Sequence, residues 1–206
     1  MSLEAKNLTF RYPRRGKRPV LDHVSLTLEP GERLGLSAPS GRGKTTLCRL
    51  LAGYQRPADG QVLLDGEPLS RYRGACPVQM IWQHPETALD PLLPLEASLH
   101  EAGPVEERLL EALHIQPQWL RRYPQELSGG ELQRFCIARA LGPRTRYLLC
   151  DEITAMLDQI TQAQIWQFLL EEARRRELGL LIVSHNSALL ERLCGRIVTL
   201  PPAGTP

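Results

Sequence analysis

Hydrophobic and polar positions alternate in two stretches near the N-terminus, imperfectly at 3–10 and cleanly at 24–28, which predicts two strands of a partly solvated sheet. The runs at 147–151 and 180–184 are almost wholly apolar, which is typical of parallel strands that helices cover on both faces. Two kinds of strand are therefore predicted, one half exposed and one fully buried. Shorter apolar runs predict further strands at 33–37, 61–66, 78–82 and 196–200.

Helical periodicity separates several of these strands. It predicts a helix that starts near Lys44, amphipathic helices at 105–115 and 129–141, and a long helix at roughly 159–176. The proline-rich stretch 85–104 is predicted to be mostly loop, because proline interrupts helices and sheet ladders. Strands followed by a β–α–β core with a helical insertion indicate the α/β class.

Length and composition are those of an ordinary folded protein. The chain has 206 residues, which is long enough to form one hydrophobic core. Hydrophobic residues make up 42% and charged residues 23%, as in an ordinary globular protein. A net charge of +2 argues for neither nucleic acid nor a membrane surface as a partner. No apolar run approaches the ~20 residues of a membrane span, and the N-terminus lacks the apolar core of a signal peptide. We therefore expect a cytoplasmic protein without a span of its own, with a single domain over 1–206 and a frayed end at 201–206.

A glycine-rich segment between the strand 33–37 and the next helix has the character of a phosphate-binding loop. Backbone N–H groups of such a loop converge on an anion, and the helix N-terminus adds about half a positive charge. Lys44 would contact the β- and γ-phosphates, and the Thr45 hydroxyl would bind Mg²⁺. The first glycine of the usual pattern is replaced by Ala38, and Gly-Lys-Thr alone also fits a tight turn with a surface lysine. The predicted loop comprises Ala38, Pro39, Ser40, Gly41, Arg42, Gly43, Lys44, Thr45 and Thr46.

Four polar residues lie where predicted strands end. Asp151 and Glu152 close a buried strand, at the edge where α/β sheets bind ligands. Asp151 is therefore predicted to orient Mg²⁺, and Glu152 to act as the general base on the attacking water. His185 follows the next buried strand and would reach a γ-phosphate, while the amide oxygen of Gln83 would reach Mg²⁺ or that water. In isolation the acids also fit a solvated helix start, and the histidine a structural role.

The segment LSGGELQR, at 127–134, distinguishes these alternatives. Ser128, Gly129 and Gly130 open a helix, and such a helix mouth combines exposed N–H groups, a hydroxyl and a favourable dipole into a second anion site. Taken alone, Ser128 also fits a plain helix N-cap. Two helix-mouth anion sites, a strand-end acid pair, a glutamine and a histidine in this order are not a coincidence of composition.

On these motifs the chain resembles the ATP-binding subunits of ABC transporters, from about residue 3 to residue 200. The resemblance implies the ABC form of the P-loop fold, which is α/β with a mainly parallel core sheet, an N-terminal antiparallel β part and a short helical subdomain at about 84–142. Tyr12 matches the aromatic residue on which the adenine ring stacks, and a surface tyrosine at a strand end is the alternative. The other motifs fall on 38–45 (Walker A), Gln83 (Q-loop), 127–131 (signature), 147–152 (Walker B), Asp158 (D-loop) and His185 (switch histidine).

Within the family, two segments, 79–91 and 151–166, are similar to the branch that imports peptides, nickel or metal–chelator complexes. The chain also departs from the family pattern at several positions, none of which removes a phosphate, metal or base ligand. The departures are Ala38 in Walker A, Glu131 in the signature, Ile153 after the acid pair and Asn186 after the switch histidine.

The resemblance implies an ATPase that binds ATP and Mg²⁺ and works as a dimer. Residues 128–130 of one subunit would close over the ATP that Lys44 and His185 of the other hold, and Asp158 belongs to the same nucleotide-binding set. Expected partners are a second ATPase subunit, identical or different, and transmembrane permease subunits that dock on 83–127. An extracytoplasmic solute-binding protein would be an indirect partner. The chain would lie at the cytoplasmic face of the cell membrane, and no nucleic-acid partner is expected.

A soluble ABC ATPase that acts on nucleic acid or ribosomes is the main alternative function. DNA-repair relatives carry long coiled-coil insertions and translation-factor relatives carry two ATP domains, and a chain of 206 residues has room for neither. A P-loop kinase is a third hypothesis. That class has no use for an LSGG segment together with a separate switch histidine, so an importer ATPase is favoured.

Overall fold

The computed structural model describes residues 1–13, 18–39, 41–101 and 103–200. The predicted loop residue Ser40 and the predicted frayed end 201–206 lie outside the described residues. Strands in chain order are β1 Leu3–Phe10, β2 Leu21–Leu28, β3 Arg33–Ser37, β4 Asp59–Leu64, β5 Glu67–Pro68, β6 Val78–Ile81, β7 Tyr147–Asp151, β8 Gly179–Val183 and β9 Arg196–Thr199. Helices are α1 Lys44–Leu51, α2 Leu95–His100, α3 Glu107–Ala112, α4 Gly129–Ala140, α5 Gln159–Arg176 and α6 Ser187–Leu193.

The N-terminal strands form an antiparallel sheet in the order β2-β1-β4-β5. Its alternation is imperfect in β1 because the pairing of β1 with β2 shifts register between Ala5 and Leu8. Asn7, inside this irregularity, has a left-handed φ of 50°. An extra residue in one strand moves the following side chains to the other face, so Ala5 and Leu8 are both buried despite their odd spacing.

The other five strands form a wholly parallel sheet in the order β6-β7-β8-β3-β9. Every residue of β7 and β8 is buried, as their apolar sequences predict. The C-terminal ends of three neighbouring strands lie side by side, since Val183 pairs with Asp151 on one side and with Leu36, the last residue but one of β3, on the other. The loops that follow β6, β7, β8 and β3 therefore meet at one edge of the sheet.

Two hydrophobic cores lie on opposite faces of the parallel sheet. One contains Leu149 and Leu181 and fills the space between the two sheets and α1. The other contains Leu148 and Leu180 and packs against the helices α2 to α6. Because successive side chains of a strand point to opposite faces, these adjacent leucines serve different cores, which explains why the strands are apolar throughout.

The helices between β6 and β7 are attached to the core through an ion-pair network as well as through apolar packing. Glu172 of α5 has a side chain only 3% exposed, and its carboxylate lies 2.8 Å from Arg108 of α3 and 3.1 Å from Arg175. Burial opposes ionisation of Glu172, but the hydrogen bonds from Arg175 and Arg108 prevail and lower its pKa.

Within the described ranges, no helix combines the length and the apolar character that a membrane span requires.

The structure differs from the sequence-based prediction mainly in short helices. The stretch predicted to be mostly loop contains α2, which starts directly after Pro94. Proline is tolerated there, because an N–H group at the start of a helix has no acceptor within the helix. The fixed φ of proline is also compatible with a helix start. Helix α6 was not predicted, and its signal is Asn186, whose side chain accepts a hydrogen bond from the Leu189 N–H at 3.1 Å. Helix α3 is shorter than the predicted 105–115.

Candidate active site

The predicted phosphate loop joins β3 to α1 at the edge where the parallel strands end. Lys44, the first residue of α1, folds back over this loop and donates hydrogen bonds to the carbonyl oxygens of Ala38 at 2.9 Å and Pro39 at 3.4 Å. Its side chain is 7% exposed, so a cation is held in a nearly buried position. Ala38 does not have a positive φ, so the methyl group that replaces the usual glycine hydrogen causes no backbone strain.

Gly43 makes the turn from the loop into α1. Its φ is 88°, in the left-handed region that favours glycine. A Cβ atom at this position would lie 2.9 Å from Leu21 Cδ2 and 3.0 Å from Val20 Cγ1, so a side chain has no room. Among the described residues none caps the first turn of α1 with its side chain, and the N–H groups of that turn are suited to receive an anion.

The carboxylate of Glu152 lies at the centre of the predicted catalytic residues. Its Oε1 is 3.5 Å from Lys44 Nζ, and its Oε2 is 3.4 Å from both Gln83 Nε2 and His185 Nδ1. The backbone of Glu152 has a left-handed φ of 51°. Three side chains that lie between residues 44 and 185 of the sequence thus meet around one carboxylate, because β6, β7, β8 and β3 are consecutive neighbours in the sheet.

Asp151 is the other strand-end acid, and it points toward the first turn of α1. Its side chain is buried and lies close enough to the Thr45 hydroxyl for that group to lower the pKa of Asp151. Burial raises the pKa of Asp151, the charge of Glu152 raises it further, and the Thr45 hydroxyl and the charge of Lys44 oppose the rise. A buried carboxylate beside a hydroxyl is a pair of oxygen donors that suits Mg²⁺.

A cavity of about 540 Å³, called the nucleotide cavity below, lies above these residues. Tyr12 forms part of its wall, with its hydroxyl 3.1 Å from Thr46 Oγ1 and its ring edge-on to Phe10 at a centroid distance of 4.9 Å. The volume is that of a small-molecule site. The residues that line the nucleotide cavity are Tyr12, Val20, Gly41, Gly43, Lys44, Thr45, Thr46, Arg49, Gln83 and Glu152.

The signature residues line a different cavity, of about 470 Å³, called the signature cavity below. Ser128 is the N-cap of α4, and its hydroxyl accepts a hydrogen bond from the Glu131 N–H at 3.4 Å. Asp158 is the N-cap of α5 and accepts hydrogen bonds from the N–H groups of Ile160 and Thr161, both at 3.0 Å. The signature cavity is lined by His114, Gln116, Trp119, Ser128, Gly130, Glu131, Arg134, Met156, Leu157, Asp158 and Thr161.

The predicted site residues therefore form two groups within one chain. Among the residues that the structure describes, none lines both cavities. His185 is not in the wall of the nucleotide cavity, but it lies with Glu152 on a smaller one of about 140 Å³. The remaining predicted residues lie beside the cavities rather than in their walls: Ala38, Pro39, Arg42, Gly129 and Asp151.

Sequence reasoning missed several residues of both cavities. Arg49 lines the nucleotide cavity and stacks over the ring of Trp82, 5.0 Å from its centroid, and Trp82 directly precedes Gln83. His114, which has no distinguishing sequence context, lines the signature cavity together with Trp119. Arg49 could have been identified from the sequence, because it follows Lys44 by five residues in the helix that the phosphate loop opens. The position of His114 in the signature cavity could not, because it depends on packing between segments far apart in sequence.

Comparison with known proteins gives consistent matches over most of the chain. Residues 21–155 match the protein family described as ABC transporter. The nickel import system ATP-binding protein NikE of Staphylococcus aureus is 33% identical over 211 residues, covering 96% of this chain and 86% of that protein. The nickel import ATP-binding protein NikE of Rhodospirillum rubrum is 36% identical over 203 residues, covering 89% and 73%. The glutathione import ATP-binding protein GsiA of Pectobacterium atrosepticum is 35% identical over 224 residues, covering 96% of this chain and 36% of that longer protein.

Solved structures agree with the observed fold. The dimeric structure of a bacterial ABC transporter cassette superposes with a TM-score of 0.83 at 24% identity, covering 96% of this chain and 94% of that one. A post-hydrolysis dimer of the same cassette, bound to ADP and Pi, gives a TM-score of 0.82 at 23% identity, covering 98% and 97%. At these identities the likeness concerns the fold, with its parallel and antiparallel sheets.

Proposed function

The chain belongs to the ABC transporter family, and we propose that it is the ATP-hydrolysing subunit of an importer for peptides, nickel or metal-chelate solutes. One observation carries the proposal: the Glu152 carboxylate lies 3.5 Å from Lys44 Nζ and 3.4 Å from both Gln83 and His185. A strand-end acid held between the lysine of a phosphate loop, an amide and an imidazole is suited to take a proton from a water molecule that attacks a bound γ-phosphate.

The triphosphate of ATP binds in the nucleotide cavity against the loop and the first turn of α1. Lys44 exchanges its hydrogen bonds to backbone carbonyl groups for bonds to the β- and γ-phosphate oxygens. The N–H groups around Gly43 complete the cradle, and the adenine ring stacks on Tyr12. The remaining predicted loop residues, Ala38, Pro39, Ser40, Gly41, Arg42, Thr45 and Thr46, belong to the same binding segment.

Three oxygen donors would hold Mg²⁺ next to the phosphates: the Thr45 hydroxyl, the Asp151 carboxylate and the amide oxygen of Gln83. The fit rests on Asp151, which is buried and lies beside the Thr45 hydroxyl. Burial raises the pKa of Asp151, so a neighbouring cation would stabilise its ionised form. When bound, the ion supplies positive charge that offsets the charge of the phosphates.

In the hydrolytic step Glu152 accepts a proton from the attacking water. The water oxygen forms a bond to the γ-phosphorus while the bond to the β–γ bridging oxygen breaks, and its electron pair leaves with ADP. Gln83 orients the water, since its amide already lies at 3.4 Å from the base. His185 donates a hydrogen bond to the γ-phosphate, and its side chain, 68% exposed, has room to turn toward it.

A second ATPase subunit, identical or different, completes the site. Ser128, Gly129 and Gly130 would contact the γ-phosphate of the nucleotide held by the other subunit, with Asp158 beside them. The support for this arrangement in trans is that the signature cavity and the nucleotide cavity have no residue in common. Binding energy that is realised only in the closed dimer drives closure, and hydrolysis removes the bridging charge.

Transmembrane permease subunits would dock on the segment 83–127, at the cytoplasmic face of the cell membrane. Leu92 in this segment is 81% exposed and is followed by the exposed Leu93, which is the kind of apolar surface that a protein partner covers. An extracytoplasmic solute-binding protein would deliver the solute. The proposed solute classes rest on relatives named for nickel import and glutathione import.

The variant Glu152→Gln tests the assignment of the base. We expect it to bind ATP with parental affinity and to lose at least about 100-fold in turnover, because an amide cannot accept the proton. Phosphate release and titration with a fluorescent ATP analogue measure the two quantities. Glu191→Gln, on the exposed face of α6, is the matched control and should retain activity. Turnover of Glu152→Gln at the parental rate would show that another residue is the base.

The solute class needs the assembled transporter. The chain would be co-purified with membrane subunits encoded beside it, and ATP hydrolysis would be measured with nickel, a nickel chelate or short peptides, each delivered by its binding protein. One of these classes is expected to stimulate hydrolysis. If no permease co-purifies and none of the solutes changes the rate, the importer function is wrong.

A further inference from the structure

The mouth of α4 carries a carboxylate that the proposed role of Ser128 does not use. The Ser128 hydroxyl and the Ser128 N–H both donate hydrogen bonds to Glu131 Oε2, at 2.7 Å and 2.8 Å. The Glu131 N–H in turn donates to Ser128 Oγ at 3.4 Å. Both side chains line the signature cavity, so this reciprocal pair lies where a partner's nucleotide would be contacted.

The hydroxyl of Ser128 has only one proton to donate. In this structure that proton is directed at the Glu131 carboxylate, while the oxygen accepts the Glu131 N–H. A phosphate oxygen is an acceptor, so Ser128 can donate to it only after its hydroxyl turns away from Glu131. That turn breaks a short, charge-assisted hydrogen bond and leaves two acceptor oxygens facing each other.

Glu131 also places negative charge in the signature cavity. Hydrogen bonds from the Ser128 side chain and backbone lower the pKa of Glu131, and the charges of Arg122 and Arg134 act in the same direction, so the group is ionised at neutral pH. Asp158 lines the same cavity. Arg134 lines it too, but donates through Nη1 to the Leu113 carbonyl at 2.7 Å. An approaching triphosphate therefore meets two carboxylates and one arginine.

We propose that Glu131 is a positioning residue that sets the ATP concentration at which two subunits close, because it holds the Ser128 hydroxyl proton and repels the incoming phosphate. The inference rests on the proposed function, since it requires Ser128 to contact ATP held by a second copy of the chain. At a given ATP concentration, Glu131 lowers the population of the closed dimer by the free energy of releasing that proton and bringing like charges together.

The substitution Glu131→Gln separates these effects from the structural role of the cap. An amide oxygen still accepts the Ser128 N–H, so the first turn of α4 stays capped. A neutral amide oxygen holds the Ser128 hydroxyl proton more weakly than a carboxylate does, so the hydroxyl can turn to a phosphate at a lower free-energy cost. Glu126 provides a matched control, because its Oε2 accepts the Tyr123 N–H at 2.7 Å in the preceding turn and it does not line the signature cavity.

The experiment uses the full chain with Glu152→Gln and follows dimer formation by light scattering during an ATP titration. Adding Glu131→Gln is expected to lower the half-maximal ATP concentration on the order of tenfold at low salt, and by less at high salt because the charge term is screened. Adding Glu126→Gln instead should leave the titration unchanged. Replacing Ser128 by alanine as well should abolish the part of the gain that does not depend on salt.

The other possible outcomes separate a failure of the role proposed for Glu131 from a failure of the proposed function. A Glu131→Gln titration that overlays the Glu126→Gln titration, or that needs more ATP at an unchanged unfolding temperature, overturns the role of Glu131 and leaves the proposed function intact. If the Glu152→Gln chain binds a fluorescent ATP analogue but stays monomeric at every concentration, the contact between two copies of this chain is wrong and the inference with it. Absence of nucleotide binding contradicts the proposed function itself.

Discussion

Glu152 adopts a backbone conformation that its residue type disfavours. A φ of 51° costs a residue with a Cβ atom about 1–2 kcal/mol, and the hydrogen bond from its N–H to the Val183 carbonyl at 3.1 Å helps to hold it there. Strained residues of this kind concentrate at functional sites, where neighbouring structure maintains them. Here the strain brings the carboxylate to the lysine, amide and imidazole described above.

Lys44→Ala is the prediction that follows most directly from a single side chain. Because the ammonium group is nearly buried and faces the nucleotide cavity, its loss should weaken ATP binding by at least about 100-fold, which corresponds to roughly 2.7 kcal/mol. Calorimetric titration measures the affinity, and circular dichroism shows whether the variant is folded. Lys6→Ala, which removes an exposed lysine paired with Glu4, is the control. Equal affinities for the parent and Lys44→Ala would mean that the loop does not hold phosphate.

At the scale of elements, the junction between the phosphate loop and α1 depends on the absence of a side chain at Gly43. The helix start packs so closely against Val20 and Leu21 that a Cβ atom would come within about 3 Å of both. Gly66 has a similar φ of 83° but nothing within 4 Å of its hypothetical Cβ. The two glycines therefore separate the cost of a left-handed backbone from the cost of crowding.

We expect Gly43→Ala to lower the free energy of unfolding by about 2–4 kcal/mol, the sum of backbone strain and overpacking. Gly66→Ala should cost only about 1 kcal/mol, because it introduces the strain alone. Urea denaturation measures both, and ATP titration should show reduced affinity for the first variant only. Similar costs for the two substitutions would show that the side chains of Val20 and Leu21 relax without penalty.

Elements with a strong periodic or continuous apolar pattern could be predicted from the sequence. The buried strands β7 and β8 and the helix α5, Gln159–Arg176, agree with the predictions because their patterns are long. Helix α2 was obscured by prolines, whose effect depends on whether they precede or interrupt a helix. The register shift in β1 was visible only as imperfect alternation, because pairing partners are not encoded locally.

The candidate site shows the same division. Lys44, Glu152, Gln83 and His185 were predicted as a set because each follows a strand in a recognised order, and the structure brings them together. Their roles in catalysis remain predictions. The contribution of His114 to the signature cavity could not be predicted, since it arises when the end of α3 packs beside α4.

At the scale of the whole molecule, the nucleotide cavity and the signature cavity are separate, and under the proposed function each would be one half of a composite site. Helix α3, whose following residue Leu113 accepts a hydrogen bond from Arg134 of the signature helix α4, is joined to α5 by the ion pair between Arg108 and the buried Glu172. Truncating one partner of such a group leaves a buried charge uncompensated. The ion pair between Arg108 and Glu172 therefore helps to hold α3 against α5.

Mixing two inactive variants tests this arrangement. Lys44→Ala lacks a functional nucleotide cavity. Ser128→Arg is expected to bind nucleotide, but its arginine side chain blocks the signature cavity. Neither should hydrolyse ATP alone, but their mixture should recover part of the parental rate, because a mixed dimer has one site with native Lys44 from one chain and native Ser128 from the other. Mixing Lys44→Ala with the double variant should recover nothing. Parental turnover by Ser128→Arg alone would contradict a shared site.

The three tryptophans of the chain are intrinsic fluorescence probes, each beside a different cavity. Trp82 lies beneath Arg49 at the nucleotide cavity, and Trp119 is in the wall of the signature cavity. Trp166 donates to Thr154 Oγ1 at 3.1 Å beside the small cavity of Glu152 and His185. Versions of the protein that keep one indole at a time would therefore give separate emission signals for nucleotide entry, subunit contact and rearrangement around the base, without an attached dye.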